Sequence, residues 1–295
     1  MNDLISYTIN GALTGLLYSL VAMGFVVIYR ASRVFNFAQG EFVVIGAFLV
    51  WWFTLDFGLP VYVGVPIAIV ASAAVGLVIE RLFFRRLIGE SVFSMVMVTI
   101  ALLIFLRGIV LLMWGPQVRP FPAIFPAQNI IIMDDVFIQQ PLLWGGVLTI
   151  ILAIAMGYFF TRTRRGLMMS AVAEDHQIAL SMGISVRRSV ALAWMMGAVL
   201  STVGAMVFLS GKSLTFLASD IGLAALPVAL LAGVESVTGL IPAGLIVGIA
   251  SGLAALYLDP IIGGSVSTVM PYLIMLMILF IRPTGLFGWK TIERV

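Results

Sequence analysis

Nine apolar runs follow one another along this 295-residue chain, separated by short polar breaks. Runs of about 20 residues match the hydrocarbon core of a bilayer, where a chain satisfies its backbone hydrogen bonds by forming helices. The sequence therefore predicts an all-α, polytopic transmembrane helix bundle of about eight or nine membrane segments in a single domain, 1–295. The runs lie at 5–29, 42–55, 61–79, 92–114, 142–160, 190–209, 223–234, 239–258 and 269–281.

Two of these runs, 42–55 and 223–234, are short for a full crossing of the bilayer. We expect them to be tilted, broken or re-entrant, because backbone without helical hydrogen bonds is tolerated at membrane depth only against protein or a wet cavity. Eight crossings result if one short run does not span.

The composition excludes several classes of protein. Hydrophobic residues make up 62% of the chain and charged residues 10%, which is more apolar surface than a soluble core can bury. There is no cysteine and one histidine, His176, so we expect no disulfide, no nucleophilic thiolate and no metal site. The net charge of +3 does not indicate nucleic-acid binding, since the basic residues flank the apolar runs.

A short match to a nucleotide-binding loop is a coincidence. Gly211, Lys212 and Ser213 imitate its end, but Met206 stands where the upstream glycine is required. We therefore expect no ATP binding, no cofactor and no catalytic residue in this chain. The N-terminus lacks a basic region and a small-residue cleavage site, so it is expected to form the first span rather than a cleaved signal peptide.

Orientation follows from lysine and arginine, which accumulate on the cytoplasmic side of membrane proteins. The breaks at 30–41, 80–90, 161–189 and 282–295 hold 13 of the 16 basic residues. This distribution predicts an external N-terminus and a cytoplasmic C-terminus. The proline-rich loop 115–141 is then external, and is either a plain connector or a landing surface for an external partner.

Two polar breaks are candidates for a pathway or gate. Asn36, Gln39, Gly40 and Glu41 precede the short second run, and they either cap and turn the second span or line a gating break. Glu235 lies between two short apolar runs, and is either a solvated turn residue or a gate or site residue.

Charges that could couple transport to ions are few in the predicted spans. Arg107 lies near the outer end of its span and is expected to reach the headgroups, while Glu80 lies at a cytoplasmic end beside Arg81. An energy source on another chain is therefore favoured over an ion relay within this one.

Small residues at helical spacing predict close helix packing. Gly11 and Gly15 are four residues apart in the first run, and Gly244, Gly248 and Gly252 repeat that spacing in a later one. Such spacing lets two backbones approach closely, and packing within one subunit is favoured over a dimer contact.

The cytoplasmic segment 161–192 is unusually polar for this chain. The stretch 168–182 has the pattern of one amphipathic helix, Gly183 is placed to end it, and a second helix is expected near Val186. Acidic residues in its middle argue against a helix lying on the bilayer surface, which is the alternative. We interpret the 168–188 helices as a docking element for another subunit. Its candidate contact residues are Ala173, Glu174, Asp175, Ala179, Gly183, Ile184, Arg187 and Arg188.

Three motifs resemble those of permease subunits of the branched-chain amino acid type of ABC importer, in its LivH-like branch. The sequence at 36–41 is similar to the signature N-F-A-H-G-E, with Gln39 in place of histidine. The sequence at 173–192 resembles the family's coupling loop, and 282–288 resembles its C-terminal ending. One departure is Glu235, which replaces a glycine of a glycine-rich turn.

The resemblance implies a multi-pass subunit of a bacterial-type cell (inner) membrane. It implies a second, paralogous permease chain, two ABC ATPase subunits that carry ATP and magnesium, and an external solute-binding protein. The implied cargo is a branched-chain amino acid or a related small polar solute. The alternatives are an ion-coupled secondary transporter or channel without an ATPase partner, and a membrane-embedded enzyme or scaffold.

Overall fold

The computed structural model describes residues 2–87, 89–126, 128–132 and 136–288, and within them the chain is mainly helical. Lys290 and Arg294, which belong to a break predicted to be cytoplasmic, lie outside the described residues. The helices are α1 (Asn2–Ser32), α2 (Gln39–Trp51), α3 (Val61–Leu82), α4 (Val92–Trp114), α5 (Gln140–Arg162), α6 (Arg164–Glu174), α7 (His176–Ser181), α8 (Val186–Leu209), α9 (Asp220–Ala232), α10 (Leu240–Ile262) and α11 (Val266–Ile281).

Six of the described helices are long and apolar enough to cross a membrane, namely α1, α3, α4, α5, α8 and α10. The 216–232 region and α11 are shorter apolar helices. The predicted polytopic helix bundle is thus confirmed, while the number of crossings and the side on which each terminus lies stay predictions.

Short strands modify the all-α expectation at one end of the bundle. They are β1 (Arg119–Pro120), β2 (Asn129–Ile132), β3 (Val136–Gln139) and β4 (Ser213–Leu214), paired antiparallel as β1 with β4 and β2 with β3. The loop 115–141, expected to be extended, thus contains three of the four strands, β1, β2 and β3. Asn10 of α1 holds β3, since its Nδ2 donates to the Phe137 carbonyl at 2.7 Å. We call this the strand end, and the opposite end the α6–α7 end.

The short helices α2 and α9 begin inside the bundle. The α-helical part of each has 13 residues and is about 20 Å long, shorter than the roughly 30 Å hydrocarbon core. A π-helical turn, Trp52–Asp56, continues α2, and a 3-10 helix, Phe216–Ser219, leads into α9. Every residue of α2 is buried. Their first turns meet, because a Cβ on Gly222 would overlap the backbone of Gly40. The two short apolar runs of the sequence therefore form helices whose regular α-helical part is shorter than a full span, and we call these half-length helices.

The same order of helices occurs twice, as α1–α4 and as α8–α11, each with a half-length helix in second place. Partners are exchanged between the two sets: α1 packs on α10 and α8 on α3, while α2 packs on α8 and α9 on α1. The helices α1 and α8 run antiparallel, since Gly24 lies by Gly197 and Val21 by Gly204. This is the arrangement of an inverted repeat, in which functional sites lie where the two halves meet.

Glycines bring α1 and α10 into backbone contact. A Cβ on Gly15 would overlap the backbone of Gly244, and one on Gly11 would lie 2.5 Å from the Gly248 carbonyl oxygen. Gly252 fits in the same way against the Tyr7 carbonyl. The predicted packing glycines thus lie opposite one another along one helix pair. Because this pair is within one chain, it forms an internal seam of the bundle.

Candidate functional site

Three cavities lie along the bundle where its two halves meet. The largest, about 1010 Å³, opens at the strand end among α1, α5, α9, α10 and α11. The second holds only about 20 Å³, room for roughly one water molecule, and shares Leu223 with the first. The third, about 250 Å³, lies at the α6–α7 end. The bundle is therefore open at the strand end and narrow at its centre.

The narrow point is the half-helix junction, which we define as residues 39–41 of α2 with 219–222 at the start of α9. Arg107 of α4 ties both sides of it together. Its Nε and Nη2 donate to Oε1 of Glu41 at 3.0 and 2.7 Å, and Nη2 also donates to Oγ of Ser219 at 2.8 Å. The Glu41 side chain is 1% exposed, and its Oε2 has no hydrogen-bond partner among the described residues. One guanidinium thus holds two helix N-termini.

This ion pair corrects two sequence-based expectations. Arg107 does not extend toward headgroups, because the buried carboxylate of Glu41 draws its guanidinium inward. A paired charge therefore lies within the helical bundle, although the sequence analysis did not pair Arg107 with Glu41. Glu41 and Gly40 both lie at the junction, and their role in gating stays a prediction.

The amides of the first polar break join it to α8. Asn36 Nδ2 donates to Oε1 of Gln39 at 3.1 Å, and Gln39 Nε2 donates to Oγ of Ser201 at 2.7 Å. Both amide side chains are fully buried. Asn36 also turns the chain by accepting from the Ala38 N–H, but α2 has no side-chain cap. The N-cap interpretation was thus wrong, while the turn exists as part of a buried polar network.

At the α6–α7 end, Arg33 joins three segments. Its Nε donates to the Ala173 carbonyl at 2.8 Å, its Nη2 to Glu174 at 3.1 Å and its Nη1 to Glu235 at 2.5 Å. These contacts connect the α1–α2 break, α6 and the α9–α10 turn beside the third cavity. Glu235 lies in the turn before α10, where 27% of its side chain is exposed and its carboxylate is paired with Arg33.

The polar segment predicted to dock another subunit forms two helices where one was expected. Asp175 ends α6 in an extended conformation and caps α7, since its Oδ1 accepts from the N–H groups of Gln177 and Ile178 at 2.7 and 2.9 Å. The break arises because an N-cap residue must leave the helical conformation. Gly183 ends α7 with φ +77°, and Ile184 N donates to the Ala179 carbonyl at 2.9 Å.

The candidate docking residues differ in exposure. Glu174, Asp175, Gly183, Arg187 and Arg188 are exposed, and Ala173 and Ile184 are partly buried. Ala179 is 2% exposed. The sequence suggested that Ala179 would contact a partner. Its small side chain instead packs inward against the chain's own core and offers no surface to a partner. The outer side of α7 carries exposed apolar residues instead, namely Ile178, Leu180 and Met182.

Sequence reasoning missed four residues that organise these sites: Arg33, Arg107, Ser201 and Ser219. Arg33 contributed only to the charge count, and Arg107 was assigned to the membrane surface. Ser201 and Ser219 gave no signal at all, because isolated serines are common in membrane helices.

A bundle of apolar helices whose inverted halves enclose half-length helices and a polar junction defines a polytopic membrane protein of the transporter class. The family model described as "Branched-chain amino acid transport system / permease component" matches residues 7–281. The chain belongs to this family of transport permease components.

Named relatives match over nearly the whole chain. The high-affinity branched-chain amino acid transport system permease protein LivH of Escherichia coli K12 is 28% identical over 301 residues, covering 97% of this chain and 96% of the relative. BraD of Pseudomonas aeruginosa, described in the same words, is 27% identical with the same coverage. The probable LivH of Methanocaldococcus jannaschii is 26% identical, covering 94% of this chain and 90% of the relative.

Proposed function

We propose that this chain forms half of the solute pathway of an ATP-driven importer for branched-chain amino acids or related small polar solutes. The observation that supports the proposal is the half-helix junction, a narrow polar point between the cavity of about 1010 Å³ at the strand end and the cavity of about 250 Å³ at the α6–α7 end. Alternating access needs such a point, because solute must never meet an open path through the whole membrane.

The orientation we propose has the strand end outside and the α6–α7 end in the cytoplasm of a bacterial-type cell, in its inner membrane. Ten arginines at 30, 33, 81, 85, 86, 162, 164, 165, 187 and 188 belong to segments of the α6–α7 end. This asymmetry supports the assignment. In this orientation α1 starts outside, and about nine segments enter the membrane, two of them as half-length helices.

The proposed partners are a second, paralogous permease, two ABC ATPase subunits and an external solute-binding protein. ATP and magnesium would act on the ATPase subunits, and this chain would carry no cofactor and no catalytic residue. The exposed surface formed by α6, α7 and the first turn of α8 supports ATPase docking. It combines the carboxylate of Glu174, the apolar residues Ile178 and Met182, and the guanidinium groups of Arg187 and Arg188.

The test is purification of the tagged chain from its native membranes in mild detergent, with mass spectrometry of the co-purifying chains. Recovery of ATPase chains and a second permease, followed by ATP-dependent leucine uptake in proteoliposomes, is the expected result. The proposal would be overturned if this chain alone showed full uptake that an ionophore abolishes and that does not depend on ATP. The ion-coupled alternative would then be favoured, and the Glu41–Arg107 pair would be the first site to examine.

A further inference from the structure

The cavity at the strand end is lined by one cation and two carboxylates that make no ion pair in the described part of the chain. Lys212 follows α8 and Asp220 begins α9, and both line the 1010 Å³ cavity. Neither side chain makes a hydrogen bond or ion pair with another described residue. Four other charged residues of the bundle, Arg33, Glu41, Arg107 and Glu235, are paired. Asp3, at the exposed start of α1, also lines the cavity, so one cation and two carboxylates are left without an ion pair there.

The backbone holds Lys212 in a fixed place. Its N–H donates to the Leu209 carbonyl at 2.8 Å, and its own carbonyl accepts from the Phe121 N–H at 2.9 Å. The side chain is reachable by solvent but surrounded by protein atoms, and this desolvation lowers the pKa of its amino group. A carboxylate brought by a solute would stabilise the charged form, which the protein alone leaves without a partner.

The rest of the cavity lining suits a small amphipathic solute. Ser251 of α10 lines it, and its buried Oγ has no hydrogen-bond partner among the described residues. Leu142, Phe208 and Ile221 contribute apolar surface. Small-molecule sites commonly combine a mainly apolar lining with a few polar groups that fix the ligand's orientation.

We infer that this cavity binds the zwitterion of an α-amino acid, with Lys212 holding the carboxylate and Asp220 the ammonium group. The inference rests on the proposed function as an amino acid importer and adds the recognition site to it. The volume exceeds that of one amino acid, so the cavity is a vestibule in which the charged pair selects the solute. Asp220 directly follows Ser219 of the half-helix junction, so a solute held there stands at the entrance to the narrow point.

The experiment uses the purified full-length chain in lipid nanodiscs and saturation-transfer NMR with three probes. These are L-leucine, 4-methylpentanoate, which lacks the ammonium group, and 3-methylbutylamine, which lacks the carboxylate. We expect saturable binding of leucine and weaker binding of both analogues. Lys212→Met and Asp220→Asn should each weaken leucine binding by about tenfold or more, since each removes a charge-assisted contact.

The variants should also differ in the analogue that they retain. Lys212→Met should still bind the amine, Asp220→Asn should still bind the acid, and the charge-preserving Lys212→Arg and Asp220→Glu should retain most leucine binding. Asp56→Asn is the matched control, because Asp56 is exposed after α2 and does not line the cavity. Circular dichroism and unfolding temperature check the fold, and Lys212→Gln replaces Lys212→Met if the methionine variant does not fold.

Unchanged leucine binding in both neutral variants, or equal wild-type binding of all three probes, would overturn the inference. Its failure can be told apart from failure of the proposed function. ATP-driven leucine uptake by the co-purified complex, together with unchanged leucine binding in the variants, would refute the site and leave the importer. Charge-dependent leucine binding without any ATPase partner would support the site and refute the importer.

Discussion

The guanidinium of Arg33 contacts the carboxylate of Glu235 at 2.5 Å, across 202 positions of sequence. Arg33 is the only non-glycine residue with a positive φ, +56°, among those that the structure describes. The left-handed conformation costs roughly 1–2 kcal/mol for such a residue. The contacts to Ala173, Glu174 and Glu235 hold it there. Arg33 therefore joins the break before the half-helix junction to α6, where an ATPase subunit is proposed to act.

Removing this contact should loosen the α6–α7 end. The chain has no cysteine, so a single Ser201→Cys, beside Gln39 in the buried break, can report entry of a membrane-impermeant thiol reagent. Adding Glu235→Gln should raise its labelling rate from the α6–α7 side by roughly 1.5- to 5-fold, since a half-exposed ion pair contributes about 0.2–1 kcal/mol. Glu90→Gln, an exposed residue without an ion pair at the same end, is the control. Equal rates in the two variants would show that Glu235 does not restrain this end.

The Glu41–Arg107 pair should matter for stability as well as for transport. Arg107→Met leaves the carboxylate of Glu41 buried without its partner. Because 39% of the Arg107 side chain is exposed, the cost is expected to be at most the roughly 3–5 kcal/mol of a fully buried pair. Thermal unfolding in detergent should show a large loss for Arg107→Met, and a smaller loss for the double variant Glu41→Gln with Arg107→Met, which removes the stranded charge. Arg86→Gln, an exposed arginine, should change nothing. A loss in the double variant as large as that of Arg107→Met, or larger, would contradict the stranded charge as the cause.

What the sequence could predict depended on how local the signal was. The four-residue spacing of Gly244, Gly248 and Gly252 lies within one helix, so their role in close packing was predictable. The spacing did not show that their partners are Gly11 and Gly15 of α1. The turn at Gly183 is equally local. The pairs Arg33–Glu235 and Glu41–Arg107 were not predictable, because they join residues 202 and 66 positions apart and depend on how helices pack.

The glycine seam between α1 and α10 should tolerate no larger residue. Gly244→Val would drive a side chain into the Gly15 backbone, and neither backbone can give way without separating the helices. We expect loss of most folded protein, measured by fluorescence-detected size exclusion. Gly108→Ala is the matched control, since a Cβ there meets nothing within 4 Å, and alanine should be neutral or stabilising by about 0.5–1 kcal/mol in a helix. Equal yields from both variants would contradict close packing as the reason for these glycines.

The coupling role of α6 and α7 can be tested only if Glu174 and Asp175 are treated separately. Asp175 caps α7 through two backbone N–H groups, so Asp175→Lys would damage the helix whether or not a partner binds there. Removing such a cap costs about 0.5–2 kcal/mol, whereas asparagine is an equally good cap. Asp175→Asn should therefore retain ATP-driven uptake better than Asp175→Ala does.

Glu174 is different, because 67% of its side chain is exposed and its contact with Arg33 leaves one carboxylate oxygen free for a partner. Glu174→Lys should lower uptake roughly tenfold at unchanged protein level, since it places a like charge against basic groups of a docked subunit, and Glu174→Gln should have a smaller effect. Normal uptake by Glu174→Lys in proteoliposomes with the co-purified ATPase would remove α6 from the coupling surface and leave the exposed apolar residues of α7 as its remaining candidate.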